Sequence, residues 1–452
     1  MTRHVIPCQA RDLIRLLLVV PGVLTAGCGL LDTNNPDIVP PGNLESPEGA
    51  AAQRTGAIRD FGFVKDGDAS ENDTEGLVLL TGDMADEFNH SGFIPSTVEF
   101  DQRLTVDNNP SLTPLYFRLH VARAGAERAA AALQKWSPDP DNDPGIPEML
   151  ALAGFTYVFF AEDFCSGVPY STVSGDSLIF GPSETTDATI LRAIERFDAA
   201  LAHGGVAADA DIGFLAAVGK GRALVDRGLF AEAAAAVQSV PTGFQYLTEH
   251  DPSPLSLANA INDYATSPES DDGGSISVAD AEGGNGLPYR SAADPRVPFR
   301  DTGHNGLDQE TPQFDLLKYP DLGSPIVLAD GIEARLIEAE AQLQVSNLAG
   351  MNTILNDLRA TIGLAPLPVP GSQAAGADQL FSERGFWLYA TAHRLGDMRR
   401  LVRQYGRAVD TVFPIGVYSR GGDYGDLVAF PVPVNENNNP DFDRSACDPT
   451  AA

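Results

Sequence analysis

The segment ERGFWLYATAHRLGDMRR, residues 383–400, is the most informative stretch of this chain about its fold. An apolar stripe begins just before this segment and continues through it. Counted from Leu380 as position 0, its members lie at positions 0, 7, 8, 11 and 15 and are Leu380, Trp387, Leu388, Thr391 and Leu395. Because an α-helix has about 3.6 residues per turn, this spacing predicts one helix face that packs into a core. We expect Trp387 to belong to that core rather than to a ligand platform.

The charged residues of the same segment have two interpretations. Glutamate, histidine, aspartate and arginine occur together, as they do in many active sites. On a helix, however, Arg384, Asp397 and Arg399 are better explained as buried or half-buried ion pairs that hold the helix against its neighbours. We therefore predict a structural role for them.

Helical patterns continue on both sides of this segment. Apolar periodicity predicts helices near residues 44–58, 75–88, 114–133, 149–164, 189–201, 213–226, 231–237, 332–343 and 354–358. Gly221-x-x-Leu224 followed by Gly228-Leu229-Phe230 fits half of a tetratricopeptide repeat, and a generic helical hairpin is the alternative. Strand signals are few, whereas residues 241–325 are rich in Ser, Asp, Gly and Pro and predict a loop-rich insertion.

The N-terminus has the features of an export signal. Arg3, Arg11 and Arg15 precede an apolar stretch that is far shorter than the ~20 residues a spanning helix needs. The stretch ends in Leu24-Thr25-Ala26-Gly27-Cys28, which resembles the lipobox of bacterial lipoproteins. We predict a signal peptide at 1–27, a lipidated Cys28 with a flexible tether at 28–43, and a helical domain at 44–452. An ordinary secretory signal is the alternative.

Cysteine usage follows from that interpretation. Cys8 is removed with the signal and Cys28 carries lipid, so Cys165 and Cys447 remain in a compartment that permits disulfides. A bridge between these two residues and a pair of free thiols both stay open. No metal-type cysteine spacing occurs in the sequence.

The charge balance excludes one class of function. The chain of 452 residues has 30 Lys and Arg against 62 Asp and Glu, for a net charge of -32. Such a chain repels phosphate backbones, so nucleic acid is not an expected partner, and attachment to a membrane requires the lipid anchor. The Asp139, Asp141, Asp143 run resembles a calcium loop, but Gly145 falls one place late and Leu150 stands where Glu is needed. We interpret it as a solvated turn and expect no metal or cofactor.

Several motifs in order along about 400 residues are similar to the SusD/RagB family of surface nutrient-binding lipoproteins of Gram-negative bacteria. The matching pieces are the lipobox, Leu80-x-x-Asp83-x-x-Asp86-Glu87-Phe88, Tyr116-x-x-Leu119-His120-x-Ala122-Arg123, Asp294-Pro295-Arg296, Leu355-Asn356-x-Leu358-Arg359, residues 383–400 and Phe430-Pro431-Val432-Pro433. The resemblance implies a mostly α fold, in which tetratricopeptide-like hairpins support a large irregular, loop-rich ligand-binding half. It also implies a partner, a SusC-like TonB-dependent outer-membrane transporter, for which the protein acts as a lid at the cell surface.

Ligand capture requires aromatic faces and planar polar groups on loops above a rigid scaffold. The residues that fit that description are Asn89, His90 and Phe93, and also Tyr289 and Arg290. Trp136, which follows a predicted helix end, is a further candidate. For each aromatic ring the alternative is packing against the scaffold.

Motif searches favour binding over catalysis. The sequence has no Gly-x-Ser-x-Gly elbow, no His-Glu-x-x-His and no phosphate-binding glycine loop. We therefore predict a non-enzymatic, lipid-anchored outer-membrane protein that captures an oligosaccharide or a peptide. The alternatives are a secreted hydrolase on a helical scaffold and a surface lipoprotein that binds other proteins.

Overall fold

Helices α1 to α14 form the scaffold of the computed structural model, which describes residues 44–70, 73–174, 177–266 and 274–452. The predicted signal peptide, Cys28 and the tether lie outside these residues. The helices are α1 Pro47–Asp66, α2 Leu77–Met84, α3 Pro95–Asp101, α4 Leu112–Trp136, α5 Gly145–Asp163, α6 Thr186–Ala202, α7 Gly205–Ala208, α8 Ala210–Asp226, α9 Phe230–Val237, α10 Ala260–Ala265, α11 Gly331–Gln344, α12 Leu348–Thr361, α13 Gln373–Trp387 and α14 Arg394–Arg403. The predicted mostly α fold is confirmed.

Small residues let the helices pack closely. Helix α1 lies along α4, α4 packs on α5, and α5 packs on α6 and α8. Gly154 of α5 and Gly219 of α8 both face the ring of Phe197, so a side chain at either position would collide with that ring. The predicted hairpin also forms, because Gly221 allows α8 to approach Val237 of α9. These helices therefore bury their apolar faces against one another, as in tetratricopeptide-like arrays.

The segment 383–400 is not one continuous helix, contrary to the prediction. Helix α13 ends at Trp387 and α14 begins at Arg394. Between them Ala390 and Ala392 adopt positive φ angles of 55° and 60°. The Ala390 N–H donates to Glu87 Oε1 at 2.8 Å, and the Tyr389 hydroxyl donates to the Glu87 carbonyl at 2.7 Å. These tertiary hydrogen bonds replace the helical ones, so alanine's high helix propensity does not decide the local structure.

The ion pairs expected in this segment form only in part. Arg384 Nε donates to Asp397 Oδ2 at 2.7 Å, and both side chains are buried. Arg399 instead donates through Nη1 to backbone carbonyls at the end of α5, including that of Phe164 at 3.1 Å. Trp387 is half-buried against a smaller apolar cluster built by α11, α12 and α13. The segment therefore joins two cores, which supports the structural interpretation.

The strands are short and pair two at a time in the described residues. They are β1 Phe88–His90, β2 Val168–Pro169, β3 Thr172–Ser174, β4 Ser177–Ile179, β5 Ser183–Glu184, β6 Gln245–Thr248, β7 Ile276–Val278, β8 Phe299–Asn305, β9 Pro312–Leu316 and β10 Ile326–Asp330. The antiparallel pairs are β1 with β7, β2 with β5, β3 with β4, β6 with β10, and β8 with β9.

The predicted insertion, residues 241–325, contains four of these strands but is not excluded from the core. Ile276, Val278 and Tyr289 are at most 1% exposed and belong to the main apolar cluster. Strand β7 pairs with β1, so that Phe88 lies opposite Val278. The segment is therefore integral to the fold, which corrects the expectation that it lies outside the core.

The C-terminal tail returns to the scaffold. Cys447 forms a disulfide with Cys165, with 5.1 Å between their Cα atoms. The Cys165 N–H donates to the Phe430 carbonyl at 2.9 Å, and the Val428 N–H donates to the Pro449 carbonyl at 2.8 Å. In the part of the chain that the structure describes, no helix combines the length and apolar composition needed to cross a bilayer.

Candidate functional site

Strand β1 divides the predicted ligand-binding residues between two clefts. Successive side chains of a strand point to opposite faces, so Asn89 and His90 face different sides of β1. A cleft of about 170 Å³ contains His90 and Phe93, and we call it the Phe93 cleft. A second cleft of about 160 Å³ contains Asn89 and Arg290, and we call it the Arg290 cleft. The structure thus brings four predicted residues together in two pairs.

The Phe93 cleft has one highly exposed ring. Phe93 follows β1 on a short loop and is 67% exposed, and the adjacent Ile94 is 48% exposed. Leu79 and Leu307 supply further apolar surface, whereas Asp73, Thr74 and Glu75 supply polar groups. An exposed phenyl ring beside polar groups is a surface on which a flat, partly apolar ligand can stack.

His90 supports the Phe93 cleft but is not free to bind a ligand. It is 3% exposed, its Nδ1 lies 3.0 Å from Asp83 Oδ2, and its Nε2 lies 2.9 Å from Thr97 Oγ1. Its backbone N–H donates to Asp101 Oδ2 at 2.6 Å. Burial raises the pKa of Asp83 to about 6, although His90 opposes that shift. Both ring nitrogens are therefore engaged, which corrects the expectation of a ligand contact.

The Arg290 cleft is built around a stacked guanidinium. The Arg290 Cζ lies 3.6 Å from the centroid of the Phe314 ring, and Phe299 braces that ring edge-on at 6.0 Å. Burial lowers the pKa of Arg290, and the carboxylates of Asp280 and Asp301 oppose this shift. Stacking on the ring fixes the plane of the guanidinium, so its donors have a defined direction.

Other polar groups complete the Arg290 cleft. They are Asn89, Glu310, Thr311, Ser419 and Arg420. Arg420 donates through Nη1 to the Gly92 carbonyl at 2.7 Å, and its Nε lies 3.4 Å from Asp308 Oδ2. Arg420 thereby connects this cleft to the loop that carries Phe93. The cleft presents amide, hydroxyl, carboxylate and guanidinium groups around one aromatic ring.

Tyr289 is a core residue, contrary to the expectation of an exposed ring. It is 0% exposed and packs against Phe386 and Tyr389, with ring centroids 5.3 and 4.7 Å away. Trp136 is half-buried against the main core, with Lys135 Nζ 4.8 Å from its ring. Neither ring lines the two clefts.

A buried ion pair joins the residues that follow α2 to the start of α14. Arg394 donates through Nε and Nη2 to the two carboxylate oxygens of Asp86 at 2.6 and 2.7 Å. Asp86 Oδ2 also accepts the Leu287 N–H at 2.8 Å. Burial alone lowers the pKa of Arg394, but the Asp86 carboxylate outweighs it and raises that pKa above its ordinary value. The pair therefore fixes the end of α2, the start of α14 and the loop that leads to Arg290.

Sequence reasoning missed several cleft residues. Phe314 and Glu310 enter the site only because β8 pairs with β9 and β9 lies beside β7. No local pattern indicates that arrangement. Arg420 precedes Gly421 and Gly422, a pair that indicates a turn. The position of Arg420 beside β1, however, depends on its hydrogen bond to the Gly92 carbonyl, more than 300 residues away in the chain.

A larger cavity, of about 700 Å³, lies elsewhere, between α1, the start of α8 and β6. Its rim carries Asp209, Asp211 and Glu249, and its Tyr246 hydroxyl is already bonded to Glu148 Oε1 at 2.9 Å.

The predicted calcium-like loop is a turn, since the Gly145 N–H donates to Asp143 Oδ1 at 2.8 Å. Among the described residues, no group of three His, Cys, Asp or Glu is placed to hold a metal ion. We place the candidate site at the two clefts beside β1, because one contains an exposed ring and the other a stacked guanidinium.

The structure thus combines a scaffold of helical hairpins with loop-built clefts that are lined by aromatic rings and polar groups. No family model and no curated protein matches the sequence. Solved structures do match. A SusD superfamily protein from Bacteroides vulgatus is 14% identical, with a TM-score of 0.64 over 90% of this chain and 99% of the other.

Two further solved structures agree with this result. A laminarin binding SusD-like protein is 15% identical, with a TM-score of 0.65 over 88% of this chain and 98% of the other. A SusD superfamily protein from Bacteroides thetaiotaomicron is 13% identical, with a TM-score of 0.65 over 88% and 99%. The chain therefore has the SusD-like fold, as the sequence motifs implied.

Proposed function

We propose that this protein is a surface lipoprotein that captures an oligosaccharide at the clefts beside β1 and delivers it to a TonB-dependent outer-membrane transporter. The observation that carries the proposal is that β1 has an exposed aromatic ring, Phe93, in the cleft on one side and the Arg290 guanidinium, stacked on Phe314, in the cleft on the other side. The laminarin binding SusD-like protein of the same fold supports a glycan as the ligand class.

The chemistry of the two clefts suits a sugar. A pyranose ring has an apolar face that stacks on a phenyl ring, and its hydroxyls both donate and accept hydrogen bonds. The Asn89 amide, the Glu310 carboxylate and the Arg290 guanidinium offer both kinds of partner. Binding of this kind needs no covalent step, because capture and release only change the local concentration of the ligand.

The anchor and the partner are part of the same proposal. Lipid on Cys28 would hold the acidic domain at the outer membrane, and residues 28–43 would give it freedom to move over a transporter. Several acyl chains on one cysteine are needed for stable attachment, because a single chain binds membranes only marginally. In this arrangement the protein acts as a lid that commits the ligand to import.

Calorimetric titration of the soluble chain, residues 29–452, with laminari-oligosaccharides and a wider glycan and peptide array tests the binding step. We expect Phe93→Ala and Arg290→Ala each to weaken binding about tenfold, since one stacking or charged contact contributes ~1–2 kcal/mol. Val345→Ala is the matched control, because Val345 is 70% exposed and does not line either cleft. Equal affinities of all three variants would contradict the proposal.

The alternatives predict different results. A hydrolase would convert the oligosaccharide to shorter products over hours, which chromatography of the titrated sample detects. A protein-binding lipoprotein would leave the array blank and retain a protein partner. Co-purification of a large outer-membrane barrel with the lipidated full chain tests the delivery step separately.

A further inference from the structure

A third ring-lined cleft lies away from β1 and shares no lining residue with the two clefts described above. It encloses about 260 Å³, more than either of them. One wall is the first half of α4, the second is the β3–β4 hairpin with the residue that follows it, and the third is the segment 435–439. We call it the Phe180 cleft.

Apolar side chains on two walls of the Phe180 cleft are exposed to solvent. Phe117 is 41% exposed on α4, Phe180 is 38% exposed after β4, and Leu178 is 55% exposed on the hairpin. The Phe117 ring is braced edge-on by Tyr116, with ring centroids 5.7 Å apart. Two phenyl rings exposed within one cleft offer apolar faces on which a ligand can stack.

The polar groups of this cleft include asparagine amides, a paired guanidinium and one half-buried carboxyl group. Asn435 and Asn438 present amides at the rim. The Arg123 guanidinium donates to Glu127 Oε2 at 2.9 Å and to the Ser171 carbonyl at 3.0 Å. Burial raises the pKa of Glu436, which favours its neutral form. In a chain of net charge -32, this cleft therefore offers uncharged amides together with a guanidinium that already has a carboxylate partner.

The walls of the Phe180 cleft are held together from behind. The disulfide between Cys165 and Cys447 joins the chain just before the hairpin to the chain just after segment 435–439. Asn439 Nδ2 donates to the Gly181 carbonyl at 2.8 Å, and the Asp443 N–H donates to Ser183 Oγ at 2.8 Å. A cleft fixed in this way loses little conformational entropy when a ligand binds.

We propose that the Phe180 cleft is a second, separate site for an uncharged oligosaccharide, and that the Cys165–Cys447 disulfide keeps it preformed. Phenyl faces take the apolar faces of sugar rings, and the asparagine amides take their hydroxyls. The site is independent of the clefts beside β1, so it is occupied whether or not Phe93 and Arg290 bind the ligand.

The test is calorimetric titration of the soluble chain, residues 29–452, with laminarihexaose, maltohexaose and cellohexaose, and with an anionic oligogalacturonide. The starting protein is the Phe93→Ala/Arg290→Ala variant, in which the clefts beside β1 are disabled. We expect it to keep one binding event for an uncharged hexaose, and Phe117→Ala/Phe180→Ala in that background to weaken it at least about tenfold. Ile179→Ala is the matched control, because Ile179 is 53% exposed on the same hairpin but does not line the cleft.

The disulfide gives a second readout. Reduction of Cys165–Cys447, or the Cys165→Ala/Cys447→Ala variant, should weaken the event at the Phe180 cleft at least about threefold while leaving the event at the β1 clefts unchanged. A residual event that is unaffected by Phe117→Ala/Phe180→Ala overturns the inference, as does the absence of any residual event in the Phe93→Ala/Arg290→Ala protein. The reverse result, binding lost in Phe117→Ala/Phe180→Ala and unchanged in Phe93→Ala/Arg290→Ala, supports the inference and contradicts the proposed capture site beside β1.

Discussion

Removing the buried cation Arg394 should destabilise the protein far more than removing a surface cation. Arg394 and Asp86 form a two-pronged pair in which the side chains are 6% and 0% exposed. In Arg394→Met the Asp86 carboxylate stays buried and keeps only the Leu287 N–H as a partner. The perturbation therefore leaves an uncompensated charge in the core.

The size of the effect follows from that geometry. Breaking a buried pair by removing one partner costs about 3–5 kcal/mol. At about 2.1 cal/mol/K per residue over about 410 residues, the unfolding entropy is about 0.9 kcal/mol/K, so Tm should fall by about 3–6 °C. Adding Asp86→Asn removes the charge but keeps an acceptor for the Leu287 N–H, so the double variant should recover at least about 2 kcal/mol.

Differential scanning calorimetry of the soluble chain measures these shifts. The matched control is Arg407→Met, because Arg407 pairs with Asp378 at the surface, where the two side chains are 30% and 66% exposed. A surface pair contributes about 1 kcal/mol or less. The reasoning is refuted if Arg394→Met lowers Tm no more than Arg407→Met does, or if Asp86→Asn deepens the loss rather than reversing it.

Three further predictions concern packing and protonation. Tyr289 is buried and Phe93 is exposed, so the two alanine variants should differ in stability. In chemical denaturation, Tyr289→Ala should lower the free energy of unfolding by about 3–5 kcal/mol, whereas Phe93→Ala should change it by less than about 1 kcal/mol. Similar losses in both variants would contradict this difference in burial. Burial raises the pKa of Glu87 from 4.5 to about 8, so its neutral form stabilises the fold below pH 4.5 and this contribution is lost as pH rises to about 8. The free energy of unfolding, measured by chemical denaturation, should therefore decline across that pH range, and Glu87→Gln should abolish the decline. The same pH dependence in Glu87→Gln and in the unchanged protein would contradict this prediction. Gly331→Ala should destabilise the fold, because the added Cβ would collide with a backbone oxygen. In Gly56→Ala the added Cβ meets nothing within 4 Å, so the free energy of unfolding should rise by about 0.5–1 kcal/mol. Equal Tm values of the two variants would contradict this prediction.

Periodicity predicted most helices because their apolar faces are local features. Helices α4, α5, α6 and α8 all cover segments that the sequence assigned as helical. The break after Trp387 was not predictable, since the residues that cause it are Glu87 and its bonds to Tyr389 and Ala390, some 300 positions away. The same limit applies to the β1–β7 and β6–β10 pairs, whose partners are far apart in the chain.

Residue type and loop position identified part of the candidate site. Arg290 lines one cleft and Phe93 the other, as loop residues with the right chemistry, whereas Asn89 lines the first cleft from strand β1. The same reasoning gave the wrong result for Tyr289, which follows a proline in a loop. Its ring is buried because Phe386 and Tyr389 pack against it, and the local sequence does not indicate these contacts. Sequence alone therefore separates loops from helices but not exposed loop rings from buried ones.

The position of the disulfide has a consequence for how the protein matures. Cys447 lies close to the last residue, Ala452, and its partner stands 282 positions earlier. Because the bridge needs both cysteines, it cannot close until the chain has been synthesised as far as Cys447. A chain that stops before Cys447 cannot form the bridge and keeps Cys165 as a free thiol.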